Sequence, residues 1–166
     1  ARDGWLGVGW IVKSIDLEKE VVTFRRKSSI KVKEERAGWG RIRDPRVFEE
    51  FARGIMSRYL NVDLAPRKRA GWPKLFDLVS PDYQIVGDVK FFSMVRGERL
   101  PPAKFATIAE HVWFLEKIDA KRKFLVFGND RRVPEIWLRK YGHLVEKIEF
   151  YFIDDNGNIH KLSEDS

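Results

Sequence analysis

The sequence predicts an α/β domain over residues 41–166 with a small N-terminal β-hairpin appendage over residues 1–40. Three observations carry that expectation. Asp44-Pro45 opens a segment of helical periodicity, two apolar strands flank Ser80-Pro81-Asp82, and a helix, strand, helix order follows Pro101-Pro102. With 166 residues, 43% hydrophobic and 13% aromatic, the chain can bury one sizeable core.

Residues 5–15 and 21–32 read as strands joined through Asp16-Leu17-Glu18-Lys19. Trp5, Trp10, Phe24 and Trp39 either stack nucleic-acid bases beside the local basic residues or pack the hairpin onto the core or a second subunit. The chain opens on Ala1 rather than Met, which reads as a processed or trimmed start with room for an upstream domain.

The first helix has Asp44 as N-cap, Pro45 at its first position, and Phe48, Phe51, Ala52, Ile55 and Tyr59 at apolar helical spacing. Glu49 lies about 100° from the centre of that face and reaches toward a sheet, whereas Glu50 lies about 200° away and faces solvent.

Residues 74–79 and 83–92 read as neighbouring strands, because Ser80-Pro81-Asp82 is turn chemistry that folds the first back against the second. Side chains alternate at period two, so Asp88 and Lys90 leave one face, and Ile85, Gly87, Val89 and Phe91 the other. Apolar residues on both sides mark a central strand, where ionised groups need a reason. The turn places Asp77 across from Asp88. Two carboxylates and an amine at the end of a strand pair can hold a divalent metal beside a polarised water, as phosphodiester hydrolysis requires. Each residue also has a plainer reading: Asp88 with Lys90 as a partly buried ion pair, Asp77 as a strand-end cap, and Glu49 as a solvated helix residue.

Beyond the strands, Arg96, Gly97, Glu98 and Arg99 form a loop beside this carboxylate group. A helix over 103–118 carries Phe105, Ile108, Ala109, Val112, Phe114 and Leu115 as apolar positions, a short buried strand covers 123–127, and Gly128-Asn129-Asp130 turns into a helix over 133–141. Residues 149–153 and 158–162 make a hairpin across Asp154-Asp155-Asn156-Gly157. That connection is a turn and not a calcium loop, since it lacks glycine at loop position six and its twelfth position is Asp165.

The order helix Glu, strand Asp, strand Asp-x-Lys resembles the PD-(D/E)xK nuclease superfamily. Arg46-Val47-Phe48-Glu49-Glu50-Phe51 is similar to the Phe-Glu helix start of Mrr-type restriction endonucleases and archaeal Holliday-junction-resolvase-like nucleases. Phe76-Asp77-Leu78-Val79 matches the first motif strand, with Phe76 where the family often has proline, and Gly87-Asp88-Val89-Lys90 matches the second. The likeness covers about residues 45–127. It implies a restriction-endonuclease-like core: a helix, a three-stranded antiparallel meander, a second helix and a further strand in a mixed sheet flanked by helices. It also implies Mg²⁺ or Mn²⁺ bound by Asp77, Asp88 and the Val89 carbonyl, with Glu49 as a further ligand, and Lys90 orienting or deprotonating the attacking water or stabilising the phosphate. The second helix of the family often carries another polar residue, for which Lys104, Glu110 and His111 all qualify here.

Charge is uneven. Residues 1–76 carry 18 Lys and Arg against 10 Asp and Glu, a net of +8, whereas residues 77–166 carry 14 against 15, a net of −1. Arg67, Lys68, Arg69, Arg96, Arg99 and Lys104 are the cations expected to meet phosphates, although a solvated basic surface gives the same letters. The absence of cysteine excludes disulfides and thiolate chemistry, and His111, His143 and His160 lack zinc-ligand spacing. No 18-residue apolar run or signal pattern is present, which predicts a cytoplasmic protein with no membrane association. High charge, no cysteine and two methionines suit a thermophile's protein.

The expected function is a Mg²⁺-dependent DNA endonuclease of restriction, repair or junction-cleaving type, working as a homodimer, with DNA favoured over RNA. The alternatives are a non-catalytic nucleic-acid-binding or protein-interaction module on the same fold, and a structural α/β protein with a solubilising surface.

Overall fold

The computed structural model describes residues 10–16, 21–26, 41–97, 99 and 101–163. Strands β1 (Trp10–Asp16) and β2 (Val21–Arg26) pair antiparallel as a two-stranded sheet of their own. Trp5, Trp39 and the expected continuation of the second strand lie outside the described residues.

Helix α1 (Pro45–Leu60) begins as its sequence dictates: Asp44 Oδ1 accepts the Arg46 N–H at 2.8 Å. It ends at Asn61, whose left-handed φ of 53° turns the chain out of the helix. Six strands then form one sheet in spatial order: β3 (Ala65–Arg67), β4 (Phe76–Val79), β5 (Ile85–Phe92), β6 (Arg122–Asn129), β7 (Ile148–Ile153) and β8 (Ile159–Leu162). β3, β4 and β5 are antiparallel, β5, β6 and β7 run parallel, and β8 returns antiparallel on β7. The two parallel connections pass through α2 (Pro102–Lys117) and α3 (Arg132–Tyr141). Both crossovers step the same way across the sheet, so right-handed connection places both helices on one face. Ile108, Leu115 and Trp137 pack there with Val86, Leu125, Phe127 and Phe150. On the opposite face, α1 seats Phe48, Phe51, Ile55 and Met56 against Leu78, Phe124, Val126 and Tyr151. The molecule is therefore of the α/β class, a mixed sheet between helical layers.

Three strands moved by two residues at one end, among them the strand expected over 83–92, which starts at Ile85 because Tyr83 takes a left-handed φ of 61° in the turn. The strand expected over 74–79 starts at Phe76, because the chain bends at Pro73 and Lys74 before the ladder begins. The strand expected over 123–127 runs from Arg122 to Asn129: parallel pairing with β5 carries Gly128 and Asn129 along despite their turn chemistry. Gly128 also has a packing role, since a Cβ there would lie 2.3 Å from the Phe48 ring. β3, three residues with a proline at an edge, gave no sequence signal.

The Asp154 connection is a turn. Asp154 Oδ1 accepts the N–H groups of Asn156 and Asn158, both at 2.9 Å, and Gly157 takes a φ of 85°.

Candidate active site

The β4–β5 ladder pairs Val79 with Val86 and Leu78 with Gly87. At the next pair, Asp77 and Asp88, side chains take over from backbone. The Asp77 N–H donates to Asp88 Oδ1 at 3.1 Å, and the Val89 N–H donates to Asp77 Oδ2 at 2.9 Å. The two carboxylates expected to converge do so.

Asp88 and Lys90 share the α2 face of β5, as period two requires, and both are buried. Asp88 Oδ2 meets three nitrogens: Lys74 Nζ at 2.5 Å, Lys90 Nζ at 2.7 Å and His111 Nδ1 at 2.8 Å. The His111 contact is close but off the hydrogen-bond line, leaving Nδ1 buried without an aligned acceptor. Burial opposes ionisation of Asp88, yet the contacts from His111, Asp77, Lys90 and Lys74 hold its carboxyl far below the usual range. Asp77 goes the other way: burial, then its hydrogen bond to Asp88 and the charge of Asp88, with a further push from Glu49, raise it to about 7 against the opposing Val89 N–H. The pair accordingly holds one proton through most of the acid range. Burial lowers the pKa of Lys90 against the raising effect of Asp88.

A cleft of about 380 Å³ opens at Lys90, lined by residues including Arg46, Glu49, Val89, Lys104 and Thr107; Asp77 and Asp88 are outside its lining and meet it through Lys90, which contacts Asp88. Thus α1 brings Glu49, β5 brings Val89 and Lys90, and α2 brings Lys104 to one space. Glu49 lies on the border expected of it and pairs with Arg53 at 2.9 Å. Of the three candidates on α2, His111 reaches Asp88, Lys104 reaches the cleft and stands over the Phe92 ring at 4.9 Å, and Glu110 is exposed outside the lining. A larger apolar hollow of about 530 Å³ lies between α2 and α3, lined by Trp113, Trp137 and Tyr141 among others. It contains none of the motif residues, whereas the smaller cleft holds Glu49, Val89 and Lys90.

The outlying cations are placed differently from one another. Arg67 sits in β3 with Nε donating to the Val79 carbonyl at 3.1 Å, which holds the edge strand. Lys68 and Arg69 are exposed, with Arg69 over the Tyr83 ring at 5.5 Å. Arg96 and Arg99 are exposed in a tight loop closed by reciprocal Val95–Arg99 backbone bonds; Glu98 of that loop lies outside the described residues.

Asp77, Asp88, Glu49 and the Val89 carbonyl are hard oxygen donors of the kind Mg²⁺ and Mn²⁺ prefer. Among the described residues, no three acidic or imidazole side chains already stand in ligand-like convergence. The donor chemistry fits a divalent ion, with Asp88 Oδ2 engaged by nitrogens and Glu49 held by Arg53. Lys74 is the residue sequence reasoning missed. Its only signal was a lysine three positions before Asp77, and strand periodicity misplaces it because the chain bends there.

Comparison with known proteins adds no identity to this geometry: the chain matches no family model, no curated protein and no solved structure.

Proposed function

We propose that this chain is a divalent-metal-dependent nuclease that hydrolyses phosphodiester bonds in DNA, built on a restriction-endonuclease-like core. The observation that carries the reading is the Asp77–Asp88 pair, one carboxyl raised to about 7 and its neighbour lowered, beside Lys90 at the edge of a cleft that Glu49 enters. The succession α1, β3, β4, β5, α2, β6, with β6 parallel to β5, supports the core.

Asp77, Asp88 and the Val89 carbonyl would hold Mg²⁺ or Mn²⁺, with Glu49 as an additional ligand. The bound ion supplies Lewis acidity toward a phosphate oxygen and acidifies a water. Lys90 leans on Asp88, lines the cleft and has a pKa lowered by burial. These features suit it to orient the attacking water, accept its proton or steady charge on the phosphate. Lys104 and Arg46 on the cleft wall, and Arg96 and Arg99 on the exposed loop, supply cations for the backbone. The reading includes a homodimer, because cutting both strands of a duplex requires two sites.

A non-catalytic nucleic-acid-binding module is the second reading, favoured by the nitrogens already gathered on Asp88. Cleavage of circular single-stranded, linear duplex and branched DNA and of RNA, with Mg²⁺, Mn²⁺ or EDTA, separates the two. Metal-dependent cutting that disappears in Asp88→Ala and Lys90→Ala is the expected result. Salt-sensitive binding with no cutting of any substrate selects the second reading.

Among the described residues, no helix is long and apolar enough to cross a membrane.

A further inference from the structure

Building on the ion site proposed above, we infer that Lys74 is a displaceable resident cation. In the ion-free chain its ammonium occupies the place on Asp88 that a divalent ion takes, so its departure sets how tightly the ion is held.

A carboxylate oxygen offers about two good acceptor directions. Asp88 Oδ2 has Lys74 and Lys90 on it at 2.5 and 2.7 Å, with His111 left off line at 2.8 Å. Any cation approaching this oxygen must displace one of them. The three are not equally free to leave. The Lys90 side chain is 7% exposed and fixed on a central strand, and that of His111 is 14% exposed and fixed on α2. The Lys74 side chain is 26% exposed and lies in the irregular segment between β3 and β4. Rotation about its own torsions carries the ammonium to solvent without moving a strand.

Charge points the same way. With both lysines in place, an entering divalent ion would put four positive charges around the carboxylates of Asp77 and Asp88. Departure of Lys74 removes one, in a setting where burial makes each charge count more than it does in water. Lys74 thus neutralises Asp88 while no ion is bound and lowers the population competent to bind one. It is a positioning residue, outside the motif strands, that discriminates between empty and loaded states.

The test needs no cleavage. Mn²⁺ is titrated calorimetrically into the full chain without DNA, comparing native, Lys74→Met and the double variant Lys74→Met with Asp88→Asn. Lys74→Met is expected to bind Mn²⁺ roughly tenfold more tightly than native, and the double variant to lose binding. In parallel, acetylation of Lys74 in the native chain, read by mass spectrometry, is expected to run faster with Mn²⁺ than with EDTA. Equal or weaker affinity in Lys74→Met, with the native chain still binding, overturns the role of Lys74 and leaves the ion site standing. Absence of Mn²⁺ binding in both overturns the site and Lys74 together. If Lys74→Met fails to fold, the acetylation rate decides, and an unchanged rate overturns the inference.

Discussion

Glu149 and Asp88 are both carboxylates on strands of the one sheet, held on opposite faces and in opposite ways. Glu149, on the α1 face, takes Arg122 through both oxygens, at 2.6 and 3.1 Å, and the Tyr151 hydroxyl at 2.6 Å, with Lys161 at 3.2 Å. Arg122 in turn reaches the Tyr151 oxygen at 3.0 Å. The donors are spread over both oxygens, and the cluster is partly open to water. Asp88, on the α2 face, is fully buried, and its three nitrogens crowd one oxygen while the other receives the Asp77 N–H. A paired arginine fork is what a stabilising cluster looks like. Burial that raises one carboxyl beside contacts that lower its neighbour is the pattern the proposed site would draw on.

The largest effect expected from that contrast is in Asp88→Asn. Loss of this charge leaves Lys90 buried without the carboxylate it contacts, so stability should fall by about 3–5 kcal/mol, together with loss of cleavage. Urea unfolding and the plasmid-cutting assay check both. Retained cutting in a folded Asp88→Asn protein would remove the distinction between the two clusters.

Next comes Gly128→Ala. Its Cβ would meet the Phe48 ring at 2.3 Å, so α1 must lift from β6 and carry Glu49 with it. A loss of about 2–3 kcal/mol is expected from overpacking, with weakened cleavage. Thermal unfolding and a crystal structure of the variant sharpen the claim that α1 is positioned by ring-on-glycine contact. An unshifted helix would contradict it.

The pH dependence of stability should separate Asp77 from Asp88. Asp77 titrates near 7 when folded and near the ordinary 3.8 when unfolded. Between those values the folded chain binds the extra proton, so this contribution falls as pH rises from about 4 to about 7 and is gone above that. Asp88 acts oppositely: its folded pKa is depressed, so its contribution is present above about 4 and disappears as pH falls below. Asp77→Asn should cancel the first slope, shifting its stability relative to native by roughly 1–3 kcal/mol in its own favour between pH 4.5 and 8. Parallel profiles for the two proteins would show that Asp77 is not raised. In the ion-free chain, Mn²⁺ affinity should rise as pH climbs toward 7, because the ion must displace the proton that Asp77 holds below that pH.

The smallest effect belongs to the other cluster. Glu149→Gln should cost about 1 kcal/mol, because its partners retain water as an alternative, and should leave metal-dependent cleavage unchanged. A large loss of cleavage there would mean the two carboxylates are not functionally distinct.

Much of this was legible in the residues. Asp44-Pro45 set the start of α1 because cap and ring chemistry act within a few residues, and Phe48, Ile55 and Tyr59 fixed which way Glu49 faces. The Ser80 turn formed as expected, with its hydroxyl bonded to Asp82 at 2.6 Å and accepting the Ile85 N–H at 3.0 Å, and so brought Asp77 opposite Asp88. Period two alone put Asp88 and Lys90 on one face. These are local rules, and local rules can be read from a string.

Only tertiary structure decided the rest. Which of Lys104, Glu110 and His111 serves the site depended on how α2 lies across the sheet, and that angle is set by distant core packing. Lys74 joined Asp88 through a bend that breaks strand periodicity, and Arg67 turned inward to the Val79 carbonyl instead of outward with its basic neighbours. Gly128 and Asn129 stayed in a strand because β5 pairs with them, against their own preference for turns. The sequence by itself determined the helices, the strands other than β3 and the carboxylate pair, since these follow from spacing along the chain. The tertiary structure determined the charge state of that pair, since burial and partners remote in sequence set each pKa.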